Sequence, residues 1–338
     1  MARVLVLGGT AWLGGAVAAT ALAAGHDVTC LARGTAPVPS GARLVPADRD
    51  DPMAYAAVPT SGGWDLVVDV ARQPGHARGA VRALGDHARH WAFVSSGSVY
   101  AHHDQVGADE SAELLPALSS VASDAATPEE YGSGKVACEQ AVLEARGGDA
   151  LVARAGLIVG YGDRSDRFGY WPGRFALGAE DGEPVLVPAR ADQPVQWIDV
   201  ADLARWLVQA GLAGAAGAFD AVGPVRTFQD LLDACAAATG FAGSLVAAAD
   251  EALHAAGVQE FMGPRSLPLW LVDPQWQGFL ARRGAAASAG LTARPVPDTV
   301  RDALAWEREQ GLSRPRAGAG LDRADELGIL ASLAGRRS

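Results

Sequence analysis

Asparagine is absent from this 338-residue chain, lysine occurs once, and cysteine and methionine occur three times each. No apolar run reaches the roughly 18 residues that a membrane-spanning helix needs. The chain opens directly on a strand-like apolar stretch, so neither a membrane span nor a signal peptide is expected, and the expected location is cytoplasmic. Cys30, Cys138 and Cys235 are widely spaced and sit among apolar residues, which argues for reduced core thiols and against a disulfide framework or a metal motif. His102-His103-Asp104 lacks a third ligand at matching spacing, and no metal is expected. A net charge of −11 and a pI near 5.1 exclude a nucleic-acid partner, because binding there rests on clustered Lys and Arg.

The single lysine, Lys135, stands four residues after Tyr131 in Glu130-Tyr131-Gly132-Ser133-Gly134-Lys135, while arginine supplies every other basic side chain. Arginine is planar and never gives up its charge, whereas an ammonium is compact and tunable. A helix over 128–145 is predicted. Thr127, Pro128 and Glu130 read as N-cap, first helical position and capping acid, Val136, Ala137, Ala141, Val142 and Leu143 form the apolar stripe, and Gly147-Gly148 stops it. On that helix Tyr131 and Lys135 share a face, about 5 to 6 Å apart at Cβ. An adjacent cation favours a phenolate, so the pair reads as a proton-transfer unit.

Upstream, Trp91-Ala92-Phe93-Val94 reads as a buried strand running into Ser95-Ser96-Gly97-Ser98-Val99-Tyr100, which places hydroxyls at a strand's carboxyl end, where open α/β sheets bind ligands. At the start, Arg3-Val4-Leu5-Val6-Leu7 precedes Gly8-Gly9-Thr10-Ala11-Trp12-Leu13-Gly14-Gly15 and an Ala-rich helix. Strand, glycine turn and helix in that order let backbone N–H groups and the helix's positive end meet a pyrophosphate. Ala11 occupies the position between Gly8 and Gly14 where a further glycine is expected. The second strand, His26 to Leu31, is followed by Ala32-Arg33-Gly34 instead of an acid, so Arg33 points to a ribose 2′-phosphate and hence to NADP, with NAD as the other choice. Asp48 is placed to meet the adenine.

With these segments, roughly residues 1 to 310 resemble the extended short-chain dehydrogenases/reductases, the NAD-dependent epimerases/dehydratases. Two further stretches match, Arg154 to Asp163 and Gln196 to Ala204. The resemblance implies that Ser96 orients a substrate oxygen, Tyr131 exchanges its proton, and Lys135 binds the nicotinamide ribose and eases proton loss from the tyrosine. It implies a dinucleotide contacted by Gly8, Thr10, Ala11, Trp12, Leu13, Gly14, Arg33, Asp48, Val70, Ala71, Ser95, Tyr131, Lys135, Ala155 and Gly156, and a substrate near Ser98, Tyr100, His102, Arg167, Trp171, Arg174 and Trp197. Arg167, Arg174 and Arg265 are candidates for an anionic substrate group.

Departures from the family pattern narrow the activity. Gly97-Ser98 replaces the Asp-Glu pair of dehydratases. Neither the family's sugar-binding asparagines nor the arginine before Ile-x-Val is present, Val195-Gln196 standing in the latter's place. The expectation is therefore an NAD(P)-dependent oxidoreductase acting on a carbonyl or alcohol carbon of a small organic molecule. A nucleotide-sugar epimerase is the first alternative and a non-catalytic dinucleotide sensor the second.

Strand and helix alternate up to Gly160, with Trp64 to Ala71 as fourth strand and Gly75 to His90 as its helix. The expected fold is α/β: a Rossmann-type doubly wound parallel sheet (1–165, completed by 194–225) with a smaller, mostly C-terminal substrate-binding subdomain (166–193 and 226–312) and a tail over 313–338 that holds a short helix from Asp322 to Ala334. Relatives suggest a homodimer through the helices at 75–90 and 128–145.

Overall fold

Short strands that are apolar along their whole length need cover on both faces, and this is the pattern of a parallel sheet between helices. A computed structural model describes residues 1–119, 125–316 and 318–335. The chain divides into two compact units, one of Met1–Leu157, Val200–Gly223 and Arg282–Ala293, the other of Ile158–Asp199, Pro224–Ala281 and Arg294–Ser338.

The first unit holds seven strands, β1 (Arg3–Leu7), β2 (Asp27–Ala32), β3 (Arg43–Pro46), β4 (Leu66–Asp69), β5 (Trp91–Ser96), β6 (Ala150–Ala155) and β7 (Gly217–Ala221). They form one parallel sheet in the order β7-β6-β5-β4-β1-β2-β3. The order runs outward in both directions from β1 and β4, the doubly wound arrangement, so the carboxyl ends of these two strands flank the crevice where such sheets take their ligands. Helix α1 (Trp12–Ala23) packs with α4 (Val200–Leu212), and α2 (Pro74–Leu84) with α3 (Tyr131–Arg146). Val4 to Leu7, Leu66 to Val68 and Trp91 to Phe93 have no exposed surface beyond a trace.

Among the boundaries that differ from the expectation, three have a local reason. The Thr127–Glu130 box does form, with Thr127 N–H donating to Glu130 Oε2 at 3.0 Å and Glu130 N–H to Thr127 Oγ1 at 3.3 Å. It closes a single turn ahead of the helix, and α3 begins at Tyr131. β4 stops at Asp69 because the Asp69 carboxylate takes the Ala71 N–H at 2.9 Å and bends the chain out of the sheet. α2 ends at Leu84 and passes into a 3-10 turn over Gly85–His87, whose Gly85 carbonyl accepts from Arg146 at 2.7 Å. Residues Arg282–Ala293 fold with the first unit, through Arg282 to Asp220 at 2.7 Å and Trp206 Nε1 to the Ala289 carbonyl at 2.9 Å.

The second unit is built on helices Tyr170–Asp181, Phe228–Thr239, Val296–Gln310 and Arg323–Gly335 around the parallel pair Val185–Pro188 and Leu245–Ala248. Its core is aromatic, with Phe168, Trp171, Phe175, Phe228 and Trp270 fully buried. The tail helix is anchored by Glu326, which accepts the Leu186 N–H at 2.9 Å and pairs with Arg174 at 3.0 Å.

Candidate active site

The glycine turn between β1 and α1 is held by Gly8 N–H to Leu31 O at 2.8 Å and Ala11 N–H to Gly8 O at 2.9 Å. Gly8 has φ +98°, and a Cβ on Gly14 would lie 2.2 Å from Gly8 O; only glycines let the helix sit this close to the turn. Ala11, at the N-cap of α1, makes no side-chain cap, and the first turn carries no acid. The helix's positive end is thus presented to an anion, as pyrophosphate binding requires.

A cavity of about 500 Å³ opens on this turn. It is lined by Gly8, Thr10 and Ala11 from the turn, Arg33 after β2, Asp48 after β3, Val70 to Gln73 after β4, and Tyr131. The turn, the run of strand ends and the cavity's size suit an extended dinucleotide. Leu13 and Gly14 lie buried beneath the turn, with Trp12 opening the helix beside them. Arg33 and Asp48 are exposed at the cavity wall. Sequence reasoning missed Asp50, Arg49 and His76. His76 Nε2 lies 2.7 Å from Asp50 at the same wall, and Arg49 binds Asp69 twice, at 2.7 and 3.0 Å, tying that wall to the end of β4. Ala155 and Gly156 end β6 against β7, where Gly156 N–H donates to Ala221 O at 3.2 Å and a Cβ would meet Val222 at 2.8 Å.

Tyr131 is half-buried at the first position of α3. Gly132 explains how it reaches the hydroxyl loop, since a Cβ there would lie 2.4 Å from the Ser98 carbonyl and the helix packs directly on the loop's backbone. Within the loop, Ser96 Oγ accepts the Ser98 N–H at 3.1 Å and lies 3.2 Å from Ser98 Oγ, so both hydroxyls are held at the end of β5. Lys135 is 2% exposed. Its ammonium donates to the Ala71 carbonyl at 2.6 Å and to the Val94 carbonyl, with the Phe93 ring 4.2 Å away. Burial pulls its pKa down from 10.5 to about 8. Arg72, which the sequence reading passed over, is exposed at the cavity and carries its guanidinium 5.4 Å from the centre of the Tyr131 ring.

Behind the loop lies a buried polar network. Ser95 donates its hydroxyl to Glu139, so that side chain faces inward and away from any dinucleotide. Glu139 takes Arg154 Nη2 at 2.9 Å and Nε at 3.2 Å. Tyr100 is 1% exposed, donates to Asp220 at 2.6 Å, accepts from Arg154 at 3.1 Å and lies under Arg282 at 3.5 Å. It is a core residue and presents no surface to a substrate, which corrects its expected role. Burial, with Asp220 next, pushes its phenol well above the usual range. Burial likewise raises the Asp220 carboxyl. Glu139 was legible as the next member of the face that carries Tyr131 and Lys135; Asp220 and Arg282 gave no local signal. His102 is on the surface, its side chain 73% exposed.

Three residues of the second unit are placed differently from expectation. Trp171 is fully buried, donating Nε1 to the Pro268 carbonyl at 2.9 Å and meeting Phe228 edge-on. Arg174 is 3% exposed and is taken up by Glu326 and the Leu321 carbonyl. Trp197 is 8% exposed against Phe168, ring centres 5.0 Å apart. All three are packing residues, held by partners that lie far from them along the chain. Arg265 pairs with Asp325. Arg167 is half-buried, with Nε donating to Ser165 Oγ at 3.1 Å and its guanidinium 6.0 Å from the Phe261 ring centre.

A doubly wound sheet with a capless, glycine-lined helix start at its crevice defines a dinucleotide-binding α/β protein. The chain matches the model of the NAD dependent epimerase/dehydratase family over residues 4–219 and belongs to that family. No curated protein matches its sequence. Among solved structures it is similar to the Bordetella bronchiseptica enzyme WbmH in complex with NAD+, at 20% identity and TM-score 0.64, over 92% of this chain and 100% of that one. It is also similar to the UDP-N-acetylglucosamine 4-epimerase from Bacillus cereus, at 17% identity and TM-score 0.62, over 91% and 100%. A third is MoeE5 in complex with UDP-glucose and NAD, at 19% identity and TM-score 0.56, over 91% and 99%. At these identities the likeness is one of fold.

Proposed function

We propose that this chain is an epimerase that transiently oxidises a secondary alcohol of a sugar nucleotide and reduces it again on the other face. The observation that carries the reading is that one cavity is lined both by the glycine turn and by Tyr131. A nicotinamide bound there would supply hydride exchange at the substrate carbon. Tyr131 takes the hydroxyl proton as the carbon gives up its hydride, leaving a ketone, and returns that proton when hydride is added to the opposite face. Ser96 and Ser98 hold the substrate oxygen at the end of β5. The N-terminus of α1 binds the pyrophosphate.

Family membership supports epimerisation over net oxidation, as do solved relatives that are named for UDP-sugars or hold them. One observation favours net oxidoreduction of a small carbonyl or alcohol instead: no asparagine exists to hold a sugar, and Val195 and Gln196 are buried where an arginine is expected. The family name favours NAD, while Arg33 at the adenosine wall supports acceptance of NADP as well. The reading includes a homodimer through α2 and α3, to be checked by light scattering.

The test is incubation with a panel of UDP-sugars, followed by NMR of the sugar's stereocentres and by nicotinamide absorbance. An epimerase interconverts epimers without net change in absorbance; an oxidoreductase consumes added cofactor in proportion to product; a sensor does neither. Tyr131→Phe should lower turnover by at least about a hundredfold while nucleotide binding persists, and near-normal turnover in that variant would overturn the assignment.

A further inference from the structure

We propose that Arg72 holds the anionic group of the substrate, its guanidinium taking phosphate oxygens of a diphosphate, a task that the sequence assigned to arginines of the second unit. The inference deepens the sugar-nucleotide reading and rests on it for the class of anion. It starts from the cations that are already spent. Arg174 is buried against Glu326 at 3.0 Å, and Arg265 pairs with Asp325 at 2.5 Å. Arg167 is half-buried and donates to Ser165 Oγ at 3.1 Å. Val195 and Gln196 are buried, so the position before Ile198 offers no cation either.

Arg72 is in the opposite condition. It is exposed, lines the cavity that the glycine turn and Tyr131 share, and among the described residues its side chain forms no hydrogen bond or ion pair. Its guanidinium stands 5.4 Å from the centre of the Tyr131 ring, and its N–H donors have no acceptor among those residues. The other cations at the cavity are committed elsewhere. Arg49 is engaged by Asp69 through two nitrogens, at 2.7 and 3.0 Å. Arg33 follows β2, which the order β4-β1-β2 sets two strand spacings, about 10 Å, from β4. The sheet therefore gives Arg33 to the adenosine end and Arg72 to the end where Tyr131 stands.

The base of the Arg72 side chain is fixed. Ala71 N–H donates to the Asp69 carboxylate at 2.9 Å, while Gln73 accepts the Ala126 N–H at 2.6 Å and donates to the Ala126 carbonyl at 3.4 Å. With the backbone already ordered, a ligand has only the side chain's own rotamers to fix. A planar fork of donors matches phosphate oxygens, two at a time. In a chain of net charge −11 a bound diphosphate needs such a local cation. Because the guanidinium lies against the ring that exchanges the proton, an anion held there and the reacting carbon belong to the same end of the ligands.

The test is calorimetric titration of the full chain, as wild type, Arg72→Ala and Arg72→Lys, first with NAD and then, with NAD saturating, with inorganic pyrophosphate. In Arg72→Ala, NAD affinity should change by less than about twofold, whereas pyrophosphate affinity for the NAD-loaded chain should fall by at least about tenfold, the loss of one charge-assisted contact. Arg72→Lys should restore part of it. A tenfold loss in NAD binding would give Arg72 to the cofactor's own pyrophosphate and overturn the proposal. Equal pyrophosphate binding by wild type and Arg72→Ala, or none by wild type, overturns it too. Arg72 is exposed, so its variants keep the fold. Pyrophosphate binding needs neither turnover nor a particular sugar, so a failure here removes Arg72 as the anion site, whereas a failure of epimerisation in the UDP-sugar panel strikes the reaction.

Discussion

The Glu139 carboxylate receives Arg154 through both Nη2, at 2.9 Å, and Nε, at 3.2 Å, in a site where neither side chain is more than 6% exposed. Removing one member strands the other. Glu139→Ala leaves a buried guanidinium and the Ser95 hydroxyl without their acceptor, and we expect a loss of roughly 3 to 5 kcal/mol in unfolding free energy. Glu139→Gln keeps the shape and one acceptor, so it should lose less. Urea titrations of the two variants check this; equal losses would show that the charge, which both variants lose, decides the stability here and that the shape kept by Gln adds nothing.

Adjacent glycines of the dinucleotide turn should behave differently. A Cβ on Gly14 meets the Gly8 carbonyl at 2.2 Å, whereas one on Gly15 has its nearest neighbour, Gly9 O, at 3.6 Å. Gly14→Ala is expected to weaken NAD binding by at least about tenfold, since the turn must move. Gly15→Ala should bind normally and gain a few tenths of a kcal/mol from helix propensity. Calorimetric titration with NAD measures both.

The burial of Lys135 sets a pH dependence. Its folded pKa is about 8, against an ordinary value of 10.5. Between these limits the unfolded chain binds a proton that the folded chain has released, so this side chain's contribution to stability improves as pH rises through that interval and is constant below it. Lys135→Met removes the effect. The stability of wild type relative to Lys135→Met should therefore climb from pH 8 to 10.5 and stay level below that interval, as read from urea midpoints; a difference flat throughout would mean the ammonium is not held down.

Arg33 follows β2 at the cavity wall, where an acid would repel a 2′-phosphate. Arg33→Ala should weaken NADP binding by several-fold more than NAD binding. Equal effects on the two nucleotides would remove the case for NADP.

Much of the sheet was legible because its central strands are largely apolar; Leu66 to Asp69 lies inside the predicted run, and Trp91 to Ser96 extends the predicted Trp91–Val94 by two residues. The placement of Tyr131 and Lys135 on one helix was legible from a spacing of four. What surrounds the pair was not. Ala71 and Val94, which take the lysine's protons, are brought together by a strand order that no local pattern encodes. Tyr100 read as a pocket residue because it follows three serines, yet Asp220 and Arg282 arrive from far along the chain to seal it in. Trp171 and Arg174 were misplaced for the same reason: Pro268 and Glu326 meet them only after the second unit has folded.

Burial of the one lysine also makes the native fold opaque to amine chemistry at its side chains. Acylating reagents and lysine-directed proteases have a single side-chain target, and it is sealed between two carbonyls and a phenyl ring. Cleavage or labelling at position 135 would therefore be timed by the parting of the sheet from α3, giving this protein a built-in reporter of opening at the place where its chemistry is assigned.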